Sequence, residues 1–195
     1  MSSDTLVAND PDAWTIALVG APRVGKTRFI SRFVLDDFEE LESSGPKGFS
    51  RHLTVDKQKT VVTLLDIYHG VNEEEAAEAQ LRDADAFILM YSSTSPYSLQ
   101  DVVAYTRAVC RAYGQDPLLA LVANQCDRPA HDQEVSLQEG TALARELDCV
   151  FLQVSAKTGE GVQAVVKDLV RRLRARGRSK QNKRALGLWT YLTRR

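Results

Sequence analysis

Gly20-Ala21-Pro22-Arg23-Val24-Gly25-Lys26-Thr27 has the spacing G-x-x-x-x-G-K-[ST]. A loop of this pattern, set between a strand and a helix, does one piece of chemistry: it cradles phosphate. Main-chain N–H groups point inward at phosphate oxygens, and the amino end of the following helix adds positive potential. Lys26 supplies a point charge to the terminal phosphates, and Thr27 offers a hydroxyl to Mg²⁺. Arg23, Val24 and Arg28 belong to the same turn. Arg23 either touches the last phosphate or lies solvated beside it. The loop alone does not choose between ATP and GTP.

Three further segments make that choice. Asn124-Gln125-Cys126-Asp127 follows an apolar run, Ser155-Ala156-Lys157 follows the next, and Phe38 ends the first predicted helix. In this order and after such a loop, these segments resemble the base-recognition signatures N-K-x-D and S-A-K of the Ras superfamily of small GTPases. The resemblance runs from about Trp14 to Leu173. It implies an α/β fold: a P-loop NTPase of the Ras-like G-domain type, with a six-stranded, mostly parallel sheet and helices on both faces. It also implies GTP/GDP and Mg²⁺ as cofactors. Asp127 would accept from the N1–H and exocyclic amine of guanine, a donor pair that adenine lacks. Asn124 would hold the loop and touch the base, Ala156 would offer its N–H to the guanine O6, and Phe38 would pack on the ring. Ser155 and Lys157 complete that loop. An ATP-dependent kinase would need an arginine-rich lid between the phosphate loop and Asn124, and the chain has none there.

Departures from the family pattern are as informative. Gln125 stands where the family has a lysine that packs on the base, which predicts weaker nucleotide binding. Pro22 and Arg23 replace glycines and crowd the phosphates. Asp66 matches the aspartate that holds Mg²⁺ through water, but the chain continues Ile67-Tyr68-His69-Gly70-Val71 where the family has T-A-G-Q. Aligned without a gap, His69 takes the glycine position and Gly70 the glutamine position. With a one-residue insertion, Gly70 is the glycine and Val71 replaces the glutamine. Neither supplies the side chain that orients the attacking water. His69 itself either orients water or is an exposed loop residue. Ser44 falls at the place of the family's metal-binding threonine, and its flanking residues do not match the Ras effector sequence. D-I-Y in place of D-T-A is similar to the Rad/Gem/Kir branch.

The elements that must position these residues are readable. Trp14–Val19 reads as a buried strand and Gly25 to about Phe38 as a helix. Residues 39–48 read as a loop, followed by strands at Phe49–Asp56 and Thr60–Asp66 joined by a three-residue turn. Glu73–Arg82 reads as a helix and Ala86–Tyr91 as a strand. Ser95-Pro96 opens a helix, as cap and first residue. Pro117–Ala123 is a strand, Ser136–Glu139 is a capping box for a helix to Leu147, and Cys149–Val154 is a strand. Val162, Val165, Val166, Leu169 and Leu173 form the stripe of a last helix. The divisions expected are a lead-in at 1–12, a G domain at 13–175 and an extension at 176–195.

Charge exposes a second feature. The 195 residues carry a net −1, yet residues 1–170 carry −11 and residues 171–195 carry +10. A uniformly basic nucleic-acid binder is excluded. The basic stretch precedes Leu186-Gly-Leu-Trp-Thr-Tyr-Leu192, and no cysteine follows Cys149, so no lipidation motif is expected. This end suits an anionic membrane surface or an acidic, calmodulin-like partner, or it folds back on its own acidic body. No secretory signal is read, and Cys110, Cys126 and Cys149 are expected to be buried free thiols. A monomeric, slowly hydrolysing signalling switch in the cytoplasm is expected, free or on the inner face of the plasma membrane, with protein effectors and regulators. Its rival is a pseudo-GTPase scaffold that does not cycle.

Overall fold

The computed structural model describes residues 12–36, 48–67, 74–114 and 116–177, with backbone alone for 74–77. Six strands form one sheet: β1 (Ala13–Val19), β2 (Phe49–Val55), β3 (Gln58–Asp66), β4 (Ala86–Ser92), β5 (Leu119–Asn124) and β6 (Val150–Gln153). The spatial order is β2-β3-β1-β4-β5-β6. All pairings are parallel except the β2–β3 hairpin at the edge. Helices α1 (Lys26–Leu35) and α6 (Val162–Arg176) cover one face. The other carries α2 (Glu74–Asp83), α3 (Pro96–Gln100), α4 (Val102–Tyr113) and α5 (Leu137–Glu146).

Strand alternation builds both cores. Ile16 and Leu18 of β1 join Phe29, Ile30, Phe33 and the α6 stripe, while Ala17 and Val19 join the opposite core. In β4, Ile88 and Met90 face α1 and α6, and Phe87, Leu89 and Tyr91 face the other way. A sheet covered on both faces explains why β4 and β5 read as continuous apolar runs. The register Leu18↔Asp66 sets the end of β3 beside the end of β1. The phosphate loop, Asp66, Asn124 and Ser155 therefore all lie at or just past the carboxyl ends of strands, where open α/β sheets bind ligands.

Several predicted boundaries change. The hairpin turn has two residues, Asp56 and Lys57, at φ 51° and 66°, so it closes tightly with both in the left-handed region. The helix after Ser95 breaks at Asp101 into α3 and α4. The first helix ends at Leu35, with Asp36 left-handed at φ 59°, and Phe38 lies outside the described residues. The capping box is complete: the Glu139 N–H donates to the Ser136 hydroxyl at 3.2 Å, and the Ser136 N–H to the Glu139 carboxylate at 2.8 Å. The cysteines are free, but Cys110 is exposed and the other two half-buried. On α4, Val109 takes the core position, so its neighbour Cys110 turns outward.

The basic end also reads differently. Arg171 pairs with Asp56, Arg174 with Asp12, Arg176 with Asp116 and Arg172 with Asp168. Arg174 donates further to the Val55 carbonyl at 2.8 Å. Four of the ten cations after Val170 thus fasten α6 to its own domain or to itself. Residues 178–195, with the aromatic segment, lie outside the described residues, as does the lead-in at 1–11.

Candidate functional site

The phosphate loop leaves β1 at Gly20 and enters α1 at Lys26. A Cβ at Gly20 would lie 2.1 Å from the Met90 carbonyl oxygen, so the loop can start here only with a bare backbone. Gly25 is held at φ +97°, and a Cβ there would lie 2.3 Å from Asn124 Nδ2. Both glycines of the motif are thus fixed by close approach as well as by conformation. Val24 is buried beneath the loop, whereas Pro22 and Arg23 are exposed. Arg23 adopts φ 66°, a conformation that costs a side-chain-bearing residue about 1–2 kcal/mol. Arg28 is half-buried on the first turn of α1.

Lys26 arches back over the loop. Its Nζ donates to the Gly20 carbonyl at 2.7 Å and to the Ala21 carbonyl at 3.2 Å. Burial lowers its pKa below 10.5, and the nearby Asp66 carboxylate partly opposes that shift. A half-buried ammonium whose hydrogen bonds go to neutral carbonyls is a strong attractor for anionic oxygen.

Beside it, the Thr27 hydroxyl donates to Asp66 Oδ2 at 2.6 Å, joining residues 39 positions apart. A hydroxyl and a carboxylate are hard oxygen donors of the kind that Mg²⁺ takes. The predicted metal residues Thr27 and Asp66 are therefore brought together. Ser44, His69 and Gly70 lie outside the described residues.

The two predicted base loops meet through Asn124, which is 2 % exposed. Its Nδ2 donates to the Val24 carbonyl at 2.8 Å, and its Oδ1 accepts from the Ala156 N–H at 3.0 Å. One carboxamide thus spans the phosphate loop and the second base loop. The Ser155 hydroxyl donates to Asp127 Oδ1 at 2.6 Å and accepts from the Thr158 N–H at 3.0 Å. Ser155 is at once a local cap and the brace of the Asp127 carboxylate. Lys157 is exposed beside them.

Gln125 is the departure with a visible consequence. It is left-handed at φ 68°, and its Oε1 accepts from the Ser92 hydroxyl at 2.8 Å and the Thr94 hydroxyl at 3.1 Å. Its side chain is thereby engaged with the end of β4.

One residue of this constellation carries no sequence motif. Arg32, on α1, donates through Nε to the Ala156 carbonyl at 3.2 Å and through Nη2 to the Lys157 carbonyl. Its Nη1 donates to the Asp36 carbonyl at 2.8 Å, at the end of α1. Its partners in the base loop are 124 and 125 positions away, so only the fold reveals them.

Comparison with known proteins agrees with this geometry. The Ras family profile matches residues 15–175. The chain is 32 % identical to Protein ras-2 of Neurospora crassa over 191 residues, covering 87 % of this chain and 82 % of that protein. It is 28 % identical to a Ras-like protein of Laccaria bicolor, covering 89 % of this chain and 84 % of that one. It is 30 % identical to GTP-binding protein RAD of Mus musculus, covering 93 % of this chain but 60 % of RAD, in keeping with the Rad-like D-I-Y segment. The chain belongs to the Ras family, a membership that implies guanine-nucleotide binding.

Proposed function

We propose that this protein is an atypical guanine-nucleotide switch that binds GTP and GDP with Mg²⁺ and hydrolyses GTP slowly. The observation that carries the reading is the Asn124 carboxamide, which makes the phosphate loop and both base loops one unit. In this reading the loop from Gly20 to Gly25 wraps the phosphates, and Lys26 neutralises their terminal charge. Asp127, braced by Ser155, reads the guanine edge, and the Ala156 N–H, which donates to Asn124 Oδ1 at 3.0 Å, would be shared with O6. Thr27 and Asp66 would hold Mg²⁺, with Ser44 as a further oxygen donor. When bound, the ion neutralises charge on the phosphate oxygens.

The segment after Asp66 supports slow turnover. Ile67 is buried beside the end of β3, but the segment 68–72 that follows contains no glutamine to orient water. Phosphate binding is retained while positioning of the nucleophile is lost. His69 and the Gly70 backbone are the groups left to fill that role.

We further propose that the protein binds an anionic membrane surface on the cytoplasmic side, a reading supported by the basic and aromatic composition of residues 178–195, with an acidic protein partner as the alternative occupant. The test of the reading is single-turnover hydrolysis by protein loaded with labelled GTP. The expected rate is on the order of 10⁻⁴ per second or less. No phosphate released over hours, even with cell extract, identifies a scaffold that does not cycle.

A further inference from the structure

We infer that Arg32 is a positioning residue for guanine recognition, acting through the backbone of the Ser155–Lys157 loop. The inference rests on the reading of this site as a guanine-nucleotide site. Arg32 is half-buried, and its guanidinium fork is shared among three carbonyls: Ala156 and Lys157 in the base loop, and Asp36 at the end of α1. A guanidinium offers five donors in a fixed plane, so it can hold several acceptors in one geometry, as an ammonium cannot.

The consequence follows from peptide geometry. The C=O and N–H of a trans peptide point in opposite directions, and every described peptide bond here is trans. Drawing the Ala156 carbonyl towards Arg32 therefore turns the Lys157 N–H away from it. The preceding N–H, that of Ala156, is already directed at Asn124 Oδ1. Arg32 thus fixes the donors of the loop without touching the base. The space for it is built in: Gly159, at φ +88°, lies against the Arg32 stem, where a Cβ would come 3.3 Å from Cδ. Through Asp36 the same side chain also anchors the point where the chain leaves α1 towards Phe38.

The test uses the full chain and three nucleotides that differ on the base edge. GDP carries O6 and the 2-amine. Inosine diphosphate keeps O6 but lacks the 2-amine. 6-Thioguanosine diphosphate keeps the N1–H and the 2-amine but replaces O6 with a poor acceptor. Arg32→Ala is expected to speed release of GDP and inosine diphosphate about tenfold, and release of the 6-thio analogue much less. Arg32→Lys, which keeps the charge and loses the fork, is expected to show the same pattern at reduced size, and it serves if the alanine variant fails to fold. An equal increase for all three nucleotides, or none for any, overturns the positioning role while leaving the guanine site intact. Wild-type protein that retains none of the three overturns the guanine reading and this inference together.

Discussion

Asn124 donates its carboxamide N–H to the Val24 carbonyl at 2.8 Å, across 100 residues of sequence. The same Nδ2 occupies the space that a Cβ on Gly25 would need. The second glycine of the phosphate loop and the first residue of the base motif are therefore one structural requirement. The loop that holds phosphate cannot be remodelled without disturbing the loop that reads the base.

Replacing Asn124 by alanine leaves the Val24 carbonyl and the Ala156 N–H without their partner in a buried setting. Each orphaned group costs about 1–3 kcal/mol, so Asn124→Ala should lose about 2–6 kcal/mol of stability. Urea denaturation of the nucleotide-free protein measures it. A loss below about 1 kcal/mol means that water replaces the strut.

Gln125→Lys separates stability from affinity. It removes an acceptor shared by the Ser92 and Thr94 hydroxyls, which should cost about 1–2 kcal/mol in denaturation. It also restores the cationic side chain that the family carries beside the base. GDP release should slow by roughly tenfold, equivalent to about 1.4 kcal/mol. A variant that is both less stable and faster in release refutes this account of Gln125.

The Arg171–Asp56 pair joins α6 to the β2–β3 turn, with Arg171 Nε and Nη2 each donating to the carboxylate at 3.0 Å. Hydrogen bonds from Arg171 hold the Asp56 carboxyl below its ordinary value of 3.8. A carboxyl whose folded pKa is lowered binds fewer protons folded than unfolded. Its stabilisation is therefore full above the ordinary pKa and is lost as pH falls through the folded one. Asp56→Asn should lower stability at neutral pH and match the wild type at pH values below the folded pKa. Thermal melts across that range test it, and a constant difference at every pH speaks against the pair.

Four of the arginines that belong to the basic end by charge pair within the domain, so a truncation that spares these pairs starts after Gly177. A chain ending at Gly177 should keep its melting temperature and lose binding to vesicles containing phosphatidylserine. The residues removed include six cations, each worth roughly 1 kcal/mol near an anionic surface. Unchanged vesicle binding refutes the membrane role. Lower stability on truncation indicates that the end packs on its own domain.

What could be read from sequence was what short spacing encodes. The phosphate loop, the Ser136 capping box and the Ser95-Pro96 helix start each depend on residues within eight positions of one another, and each falls where it was read. The Asp56-Lys57 turn is one residue shorter than the sequence suggests because β3 begins with the polar Gln58 and Lys59, which look like loop. The arginine ties of α6 escaped because Asp12 and Asp56 lie 162 and 115 positions from their partners. Read in sequence, that helix end is a charge run; in the fold it is a set of staples. Arg32 is invisible for the same reason. Cys110 was misplaced because its apolar neighbours hid the helical period that turns it outward.

The nucleotide carried by the protein as purified, released by denaturation and identified by chromatography, tests the guanine-switch reading directly. Guanine nucleotide, GDP or GTP, is expected to approach one per chain in the presence of Mg²⁺ and to be lost with Lys26→Ala. Adenine nucleotide, or none in protein that is otherwise folded, contradicts it.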